Sequence, residues 1–155
     1  MSSIKLIISD LHLADGHAIL DGFGDAQQAA LEGLLDARYD VKDVELIING
    51  DCFDFLVIPP FQKDETTDPV TALGKLEKVI AAHRPFFELL HKFISTPGRS
   101  VTFITGNHDM ELCFEEVRTR IAEAIYGQAV LPSQILCSAQ DDSLSIVILK
   151  LPLEQ

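Results

Sequence analysis

Basic residues are scarce in this chain. Its 155 residues include 12 Lys and Arg against 24 Asp and Glu, a net charge of −12. No Lys/Arg cluster occurs, so the electrostatic footprint of a duplex nucleic-acid binder is absent. Cysteines are few and widely spaced, at Cys52, Cys113 and Cys137. Their odd number and spacing indicate neither a disulfide framework nor a zinc ribbon, and a reducing, cytoplasmic location is expected. The start, Met1-Ser2-Ser3-Ile4-Lys5, runs into an apolar strand without a signal-peptide core. No apolar run reaches the ~20 residues of a membrane helix. The longest, Leu144 to Leu153, is broken by Ser145, Lys150 and Pro152. No Gly-x-Gly-x-x-Gly or Walker-type loop follows any predicted strand, which removes the doubly wound nucleotide-binding domain.

What remains is an ordinary globular composition, 47% hydrophobic and 23% charged. One domain over residues 1–155 is the natural reading. The acidic surplus has two explanations that hold together: a solvated surface, and acid gathered around cations. Ile4 to Ile8 is a short β-branched run that reads as a buried strand, as do Val44 to Ile48 and Val101 to Ile104. Asp25 to Tyr39 has a helical stripe at Ala29, Leu31, Leu34 and Leu35, and Asp25 with Gln28 resembles a capping box. A second helical pattern spans about Thr71 to Ser95, with Pro85 inside it as a kink or break. Glu111 to Tyr126 is helical. Two strand-like runs, Val130–Leu136 and Leu144–Leu149, suggest a C-terminal hairpin turning at Gln140-Asp141-Asp142-Ser143. The β-α-β-α-β order implies right-handed crossovers and a largely parallel first sheet.

Three polar motifs follow the three predicted strands: Asp10-Leu11-His12, Gly50-Asp51-Cys52-Phe53-Asp54 and Gly106-Asn107-His108-Asp109. In a parallel sheet, functional groups collect beyond the carboxyl ends of the strands. Each motif alone has a plainer explanation. Asp-x-His serves as a turn or cap, Gly-Asp as a turn, and Gly-Asn-His-Asp as a cap for the next helix. All three together, in strand order, require three coincidences under that explanation. Residues two apart on an extended segment share a side, so Asp10 and His12 are expected to face one cation. The mixed set of carboxylate, imidazole and amide donors suits Mn²⁺, Fe²⁺, Zn²⁺ or Ni²⁺. Cys52 is expected to point away from the site. His17 reads as an exposed loop histidine, and His83 and His91 as surface or rim residues. Phe53 and Phe55 read as core or loop packing, with walls of the site as the alternative.

Ser9-Asp10-Leu11-His12-Leu13, Asn49-Gly50-Asp51-Cys52-Phe53-Asp54 and Thr105-Gly106-Asn107-His108-Asp109 resemble, in order and strand-end placement, the first three signature motifs of the calcineurin-like metallophosphoesterases. The resemblance spans roughly Ile4 to Leu112. It implies a four-layer α/β/β/α sandwich and metal-dependent hydrolysis of phosphate mono- or diesters, with a small phosphoester as substrate. It implies two divalent ions, Mn²⁺ foremost, with Fe, Zn or Ni as alternatives. Asp10 and His12 would bind the first ion, Asp51 would bridge both, and Asn107 would bind the second. His108 would stand at the leaving group, oriented by Asp109. Asp54 is expected to support a ligating side chain from behind or to fix the loop, rather than to bind metal.

The family's further histidines, in Gly-His and Gly-His-x-His motifs, have no counterpart here, because no histidine follows His108. The chain is therefore expected to be an incomplete, N-terminal part of such a domain, weak or inactive alone. Its second sheet would contain little beyond the tail hairpin. The alternative is a catalytically weak metal-binding or protein-interaction module on the same fold.

Overall fold

The computed structural model describes residues 3–17, 19–37, 39, 41–61, 68–129, 136–140 and 146–151. In chain order they form β1 (Ser3–Ile8), α1 (Asp25–Leu35), β2 (Asp43–Asn49), α2 (Pro69–Ala82), α3 (Arg84–Ile94), β3 (Arg99–Ile104), α4 (Glu115–Tyr126), β4 (Leu136–Gln140) and β5 (Ile146–Leu151). Short 3₁₀ turns occupy Phe55–Val57 and Met110–Cys113. The architecture is mixed α/β on a five-stranded sheet of order β1-β2-β3-β5-β4.

β1 pairs with β2, and β2 with β3, in parallel. The hairpin joins this same sheet. β5 runs antiparallel along β3, pairing Phe103 with Leu149, and β4 lies outside it. The expected assignment of the hairpin to a second sheet is thus replaced by an extension of the first. The free edge of β3 is a row of unpaired backbone groups, and a neighbouring strand satisfies them. The suggested turn at 141–143 and the start of the first tail run at 130–135 lie outside the described residues.

Local chemistry moves some boundaries. Helix α1 is capped by Gly24, whose N–H donates to Gln27 Oε1 at 3.3 Å, one residue before the expected Asp25 cap. Its chain leaves the helix at Asp36, three residues before Tyr39. Pro85 splits the long helical pattern at His83, and the proline occupies the first turn of α3, where a missing N–H costs nothing. Before α4, Phe114 is extended at φ −77° and ψ 130°, so a 3₁₀ turn and a helix replace one continuous helix.

Burial alternates along β2: Val44, Leu46 and Ile48 are buried, while Asp43, Glu45 and Ile47 are only partly covered. That alternation marks a sheet with helices on one face. Leu46, Ile48, Val101 and Phe103 meet Leu76, Val79, Phe86, Leu90, Ile121 and Ile125, all essentially inaccessible. Phe53 and Phe55 are fully buried in this core and wall nothing. On the other face, Glu45 accepts from Lys5 at 2.9 Å, Lys150 at 2.7 Å and Thr102 at 2.7 Å. Further along, Ile7 on that face is 65% exposed. No described helix is long and apolar enough to cross a membrane.

Candidate metal centre

The three motif loops leave the same end of adjacent parallel strands and are stitched together by their backbones. Asp10 N–H donates to Gly50 O at 3.2 Å, His12 N–H to Asp51 O at 3.0 Å, and Leu13 N–H to Cys52 O at 3.0 Å. Gly50 N–H donates to Ile104 O at 3.0 Å, and Phe55 N–H to His108 O at 3.1 Å. Each loop is therefore positioned by the next one, and the side chains they carry share one small volume.

The backbone inside these loops is not extended. Asp10, His12 and Asp51 have φ of 56°, 51° and 52°. Left-handed conformation costs a non-glycine residue about 1–2 kcal/mol, and such strain concentrates at functional sites. Asp10 and His12 do face one another, with Asp10 Oδ1 4.0 Å from His12 Nε2. The cause is a shared left-handed twist rather than strand alternation.

Two glycines permit the crossing. Gly50 has φ 84°, and a Cβ there would press within 3.3 Å of Gly106 Cα. A Cβ on Gly106 would collide with the Asp51 carboxylate and lie 2.5 Å from its amide nitrogen. A side chain at 106 is incompatible with Asp51 in its present place.

Two overlapping clusters of ligand atoms result. Asp10, His12 and Asp51 lie within 4.8 Å of one another, and so do His12, Asp54 and His108. The first contains three of the sequence-derived ligands. Asp10 is exposed, whereas His12 and Asp51 are half-buried. Asp51 Oδ1 accepts the His108 N–H at 2.8 Å, so the third motif aims the second motif's carboxylate. Asn107 is exposed, and its side chain makes no hydrogen bond to another described residue. Donors of carboxylate and imidazole type fit a divalent first-row ion.

The second cluster is organised by a carboxylate outside the first. Asp54, 6% exposed, reaches His12 Nδ1 with Oδ2 at 3.1 Å and His108 Nδ1 with Oδ1 at 3.0 Å. The two imidazole rings meet edge to face with centroids 4.7 Å apart. One carboxylate thus fixes both histidines through Nδ1, leaving each Nε2 for other work. The hydrogen bond that His108 Nδ1–H donates to Asp54 raises the His108 pKa above its ordinary value, against the opposing effect of burial. The available signal is the carboxylate within the apolar run Cys52-Phe53-Asp54-Phe55, since a buried charge demands partners.

Asp109 does a different job from the one expected. Its carboxylate accepts from Gly106 N–H at 2.6 Å, Cys52 N–H at 2.8 Å and Phe53 N–H at 3.5 Å. The side chain is fully buried and binds the second loop to the third; the carboxylate on the His108 ring belongs to Asp54. Burial pushes the Asp109 carboxyl up, against the three N–H donors that favour its charged form. Cys52 is buried, and burial raises its thiol well above the usual range.

Behind the loops, Lys75, 5% exposed, donates to Phe55 O at 2.8 Å. Burial lowers the Lys75 pKa, and nearby Glu111, itself raised by burial, works against that shift. His17 is an exposed loop residue, as read from the sequence. His83 is not on the surface. Its Nε2 lies 2.6 Å from Asp21 Oδ2, which also accepts from Gly16 N–H at 2.9 Å. This pair ties the 16–22 loop to the α2–α3 junction, and Gly22 N–H returns the loop to His12 O at 3.0 Å.

No protein-family model, curated protein or solved structure matches this chain.

Proposed function

We propose that this chain carries the metal-binding and proton-donating half of a calcineurin-like metallophosphoesterase site, for hydrolysis of phosphate mono- or diesters. The observation that carries the reading is the convergence of three strand-end loops on Asp10, His12 and Asp51, with Asp54 holding both His12 and His108. Asp and His tolerate the left-handed region better than most residues, but turn formation alone does not bring their carboxylate and imidazole ligand atoms within 4.8 Å of one another.

In this reading Asp10, His12 and Asp51 hold one divalent ion, and Asp51 and Asn107 hold a second. When bound, a pair of such ions acidifies a water and neutralises phosphoryl oxygens. Mn²⁺ is the first choice, and Fe, Zn and Ni are alternatives by donor type. The His108 Nε2 presents a hydrogen bond or proton to the leaving oxygen, and Asp54 keeps that ring in one orientation and favours its protonated form. The left-handed loops keep the carboxylates in place before substrate arrives, which limits reorganisation during the reaction.

A second reading rests on the ligand count. The second ion would have only Asp51 and Asn107 from this chain, because no histidine follows His108. A weak metal-binding or protein-interaction module is consistent with that count. Calorimetric titration with Mn²⁺, with hydrolysis of p-nitrophenyl phosphate and bis-p-nitrophenyl phosphate beside it, separates the two. Saturable Mn²⁺ binding abolished by Asp51→Ala, with turnover lost in Asp51→Asn, supports the esterase. Binding without turnover supports the module, and binding indifferent to Asp51→Ala sinks both.

A further inference from the structure

The segment that carries Asp10 and His12 turns back towards them, and a buried pair on the helix side holds its return. His83 Nε2 lies 2.6 Å from Asp21 Oδ2, with the two side chains only 10% and 6% exposed. The same carboxylate accepts from Gly16 N–H at 2.9 Å and from Phe23 N–H at 3.0 Å, which makes His83 the donor at Nε2. His83 ends α2 and opens α3. Its ring meets Phe23 edge to face at 6.0 Å, and Phe23 in turn meets Phe86 at 5.5 Å. Gly16 presses on the same junction, where a Cβ on it would lie 3.1 Å from Ala82 Cβ.

Closing a helix junction does not by itself call for this arrangement. Burying polar groups is costly unless they are paired and hydrogen-bonded, and an apolar pair would bring loop and helices together without that cost. An apolar pair would not fix direction, and Asp21 does. One oxygen reaches forward to the Phe23 amide and the other back to the Gly16 amide, so the turn around Gly22 is set from both sides. Gly22 bears directly on His12. Its N–H donates to His12 O at 3.0 Å, and a Cβ on Gly22 would lie 2.9 Å from His12 Cβ and 3.3 Å from Leu11 O. His12 Cβ is the root of the imidazole, and His12 sits at φ 51°, a conformation that costs a non-glycine residue about 1–2 kcal/mol and has to be held by its surroundings.

We propose that His83 is a positioning residue for His12, acting through Asp21 and Gly22, so that the α2–α3 junction sets the geometry of the Asp10–His12–Asp51 cluster from outside it. The inference rests on the reading of His12 as a metal ligand. His83 touches neither metal nor substrate in this role, because its Nε2 is engaged with Asp21.

The chain has five histidines, so selective ¹⁵N-histidine labelling reads His12 directly in the metal-free protein. His83→Leu removes the donor and leaves an apolar side chain beside Phe23. The His12 amide and ring signals should move in that variant and return towards wild type in His83→Gln, whose amide offers an N–H in place of Nε2. Calorimetry should show Mn²⁺ affinity lower by about tenfold or more in His83→Leu, the scale of a lost outer-shell partner, and mostly restored in His83→Gln. His91→Leu is the control for a purely structural role, since His91 Nδ1 ties α3 to Ile125 O, near the end of α4, at 2.9 Å. It should lower stability without moving the His12 signals or the Mn²⁺ affinity. Gly22→Ala tests the last link without touching His83, and it too should move the His12 signals and weaken Mn²⁺ binding. Unmoved His12 signals in His83→Leu overturn the proposal. So does a response no larger than that of His91→Leu, or wild-type Mn²⁺ affinity in a folded His83→Leu. If His83→Leu does not fold, unmoved His12 signals in Gly22→Ala overturn it instead. A wild-type chain that binds no Mn²⁺ sinks the metal reading, while the metal-free His12 signals still decide whether His83 sets that residue.

Discussion

Asp54 Oδ1 lies 3.0 Å from His108 Nδ1, and this contact joins the end of the second motif to the third. The other oxygen of the same carboxylate serves His12 at 3.1 Å. In the proposed site, a change at Asp54 therefore acts on the metal-binding and proton-donating sides together. Asp54→Asn should lower Mn²⁺ affinity and turnover each by about ten- to a hundredfold, as loss of an outer-shell partner does elsewhere. Calorimetry and p-nitrophenyl phosphate hydrolysis read the two effects. A variant with unchanged affinity and unchanged turnover would remove Asp54 from the site.

Asp109 should behave differently, because it touches backbone rather than imidazole. In Asp109→Asn the amide NH₂ would face one of the N–H donors, leaving a buried donor unpaired at about 1–3 kcal/mol. Urea denaturation should show that loss of stability. At temperatures where the variant remains folded, the pH profile of turnover should shift far less than in Asp54→Asn, because Asp109 reaches His108 through its charge alone. A shift as large as that of Asp54→Asn would mean that Asp109 holds the His108 ring after all.

Gly106→Ala tests the close crossing of the second and third loops. The added methyl group would occupy the place of the Asp51 carboxylate. Relief requires moving either a candidate ligand or the backbone of Gly106 itself. A stability loss of about 1–3 kcal/mol is expected from such overpacking, together with loss of measurable Mn²⁺ binding. Wild-type Mn²⁺ affinity in this variant would show that Asp51 is free to relocate without consequence.

The three strands, their polar ends and the break at Pro85 were legible because each has a local cause: β-branched runs, Gly-Asp and Gly-Asn turns, and a missing N–H. What escaped depends on distant partners. Asp10 and His12 twist to positive φ where the loop after β2 holds them through Gly50 O and Asp51 O, which strand alternation cannot anticipate. Asp54 finds His108 across 54 positions, and His83 finds Asp21 across 62. The hairpin's apolar runs look the same whether they extend one sheet or begin another. Only the free edge of β3 decides between them.

Glu45 makes the last prediction, on stability against pH. Burial favours its neutral form, yet hydrogen bonds from Lys150, Thr102 and Lys5 outweigh that and hold its carboxyl at about 2, below an ordinary 4.5. Its pKa is depressed on folding, so its contribution is present above about pH 4.5 and is lost as pH falls towards 2. Asp109 and Glu111 slope the other way, since burial raises both and protonation relieves them. The raw acid profile therefore mixes opposing terms, and a variant is needed to isolate one. Glu45→Gln should be less stable than wild type at pH 6, with Lys5 and Lys150 left without their shared carboxylate. The difference should shrink steadily below pH 4.5 and nearly vanish near pH 2. Added salt at pH 6 should narrow it in part, because Lys5 is mostly exposed and its share is screened. Urea unfolding at pH 6, 4 and 2.5 for both proteins supplies the comparison. Parallel profiles across that range would show that Glu45 keeps its unfolded pKa and that the Lys5–Glu45–Lys150 network adds nothing to folding.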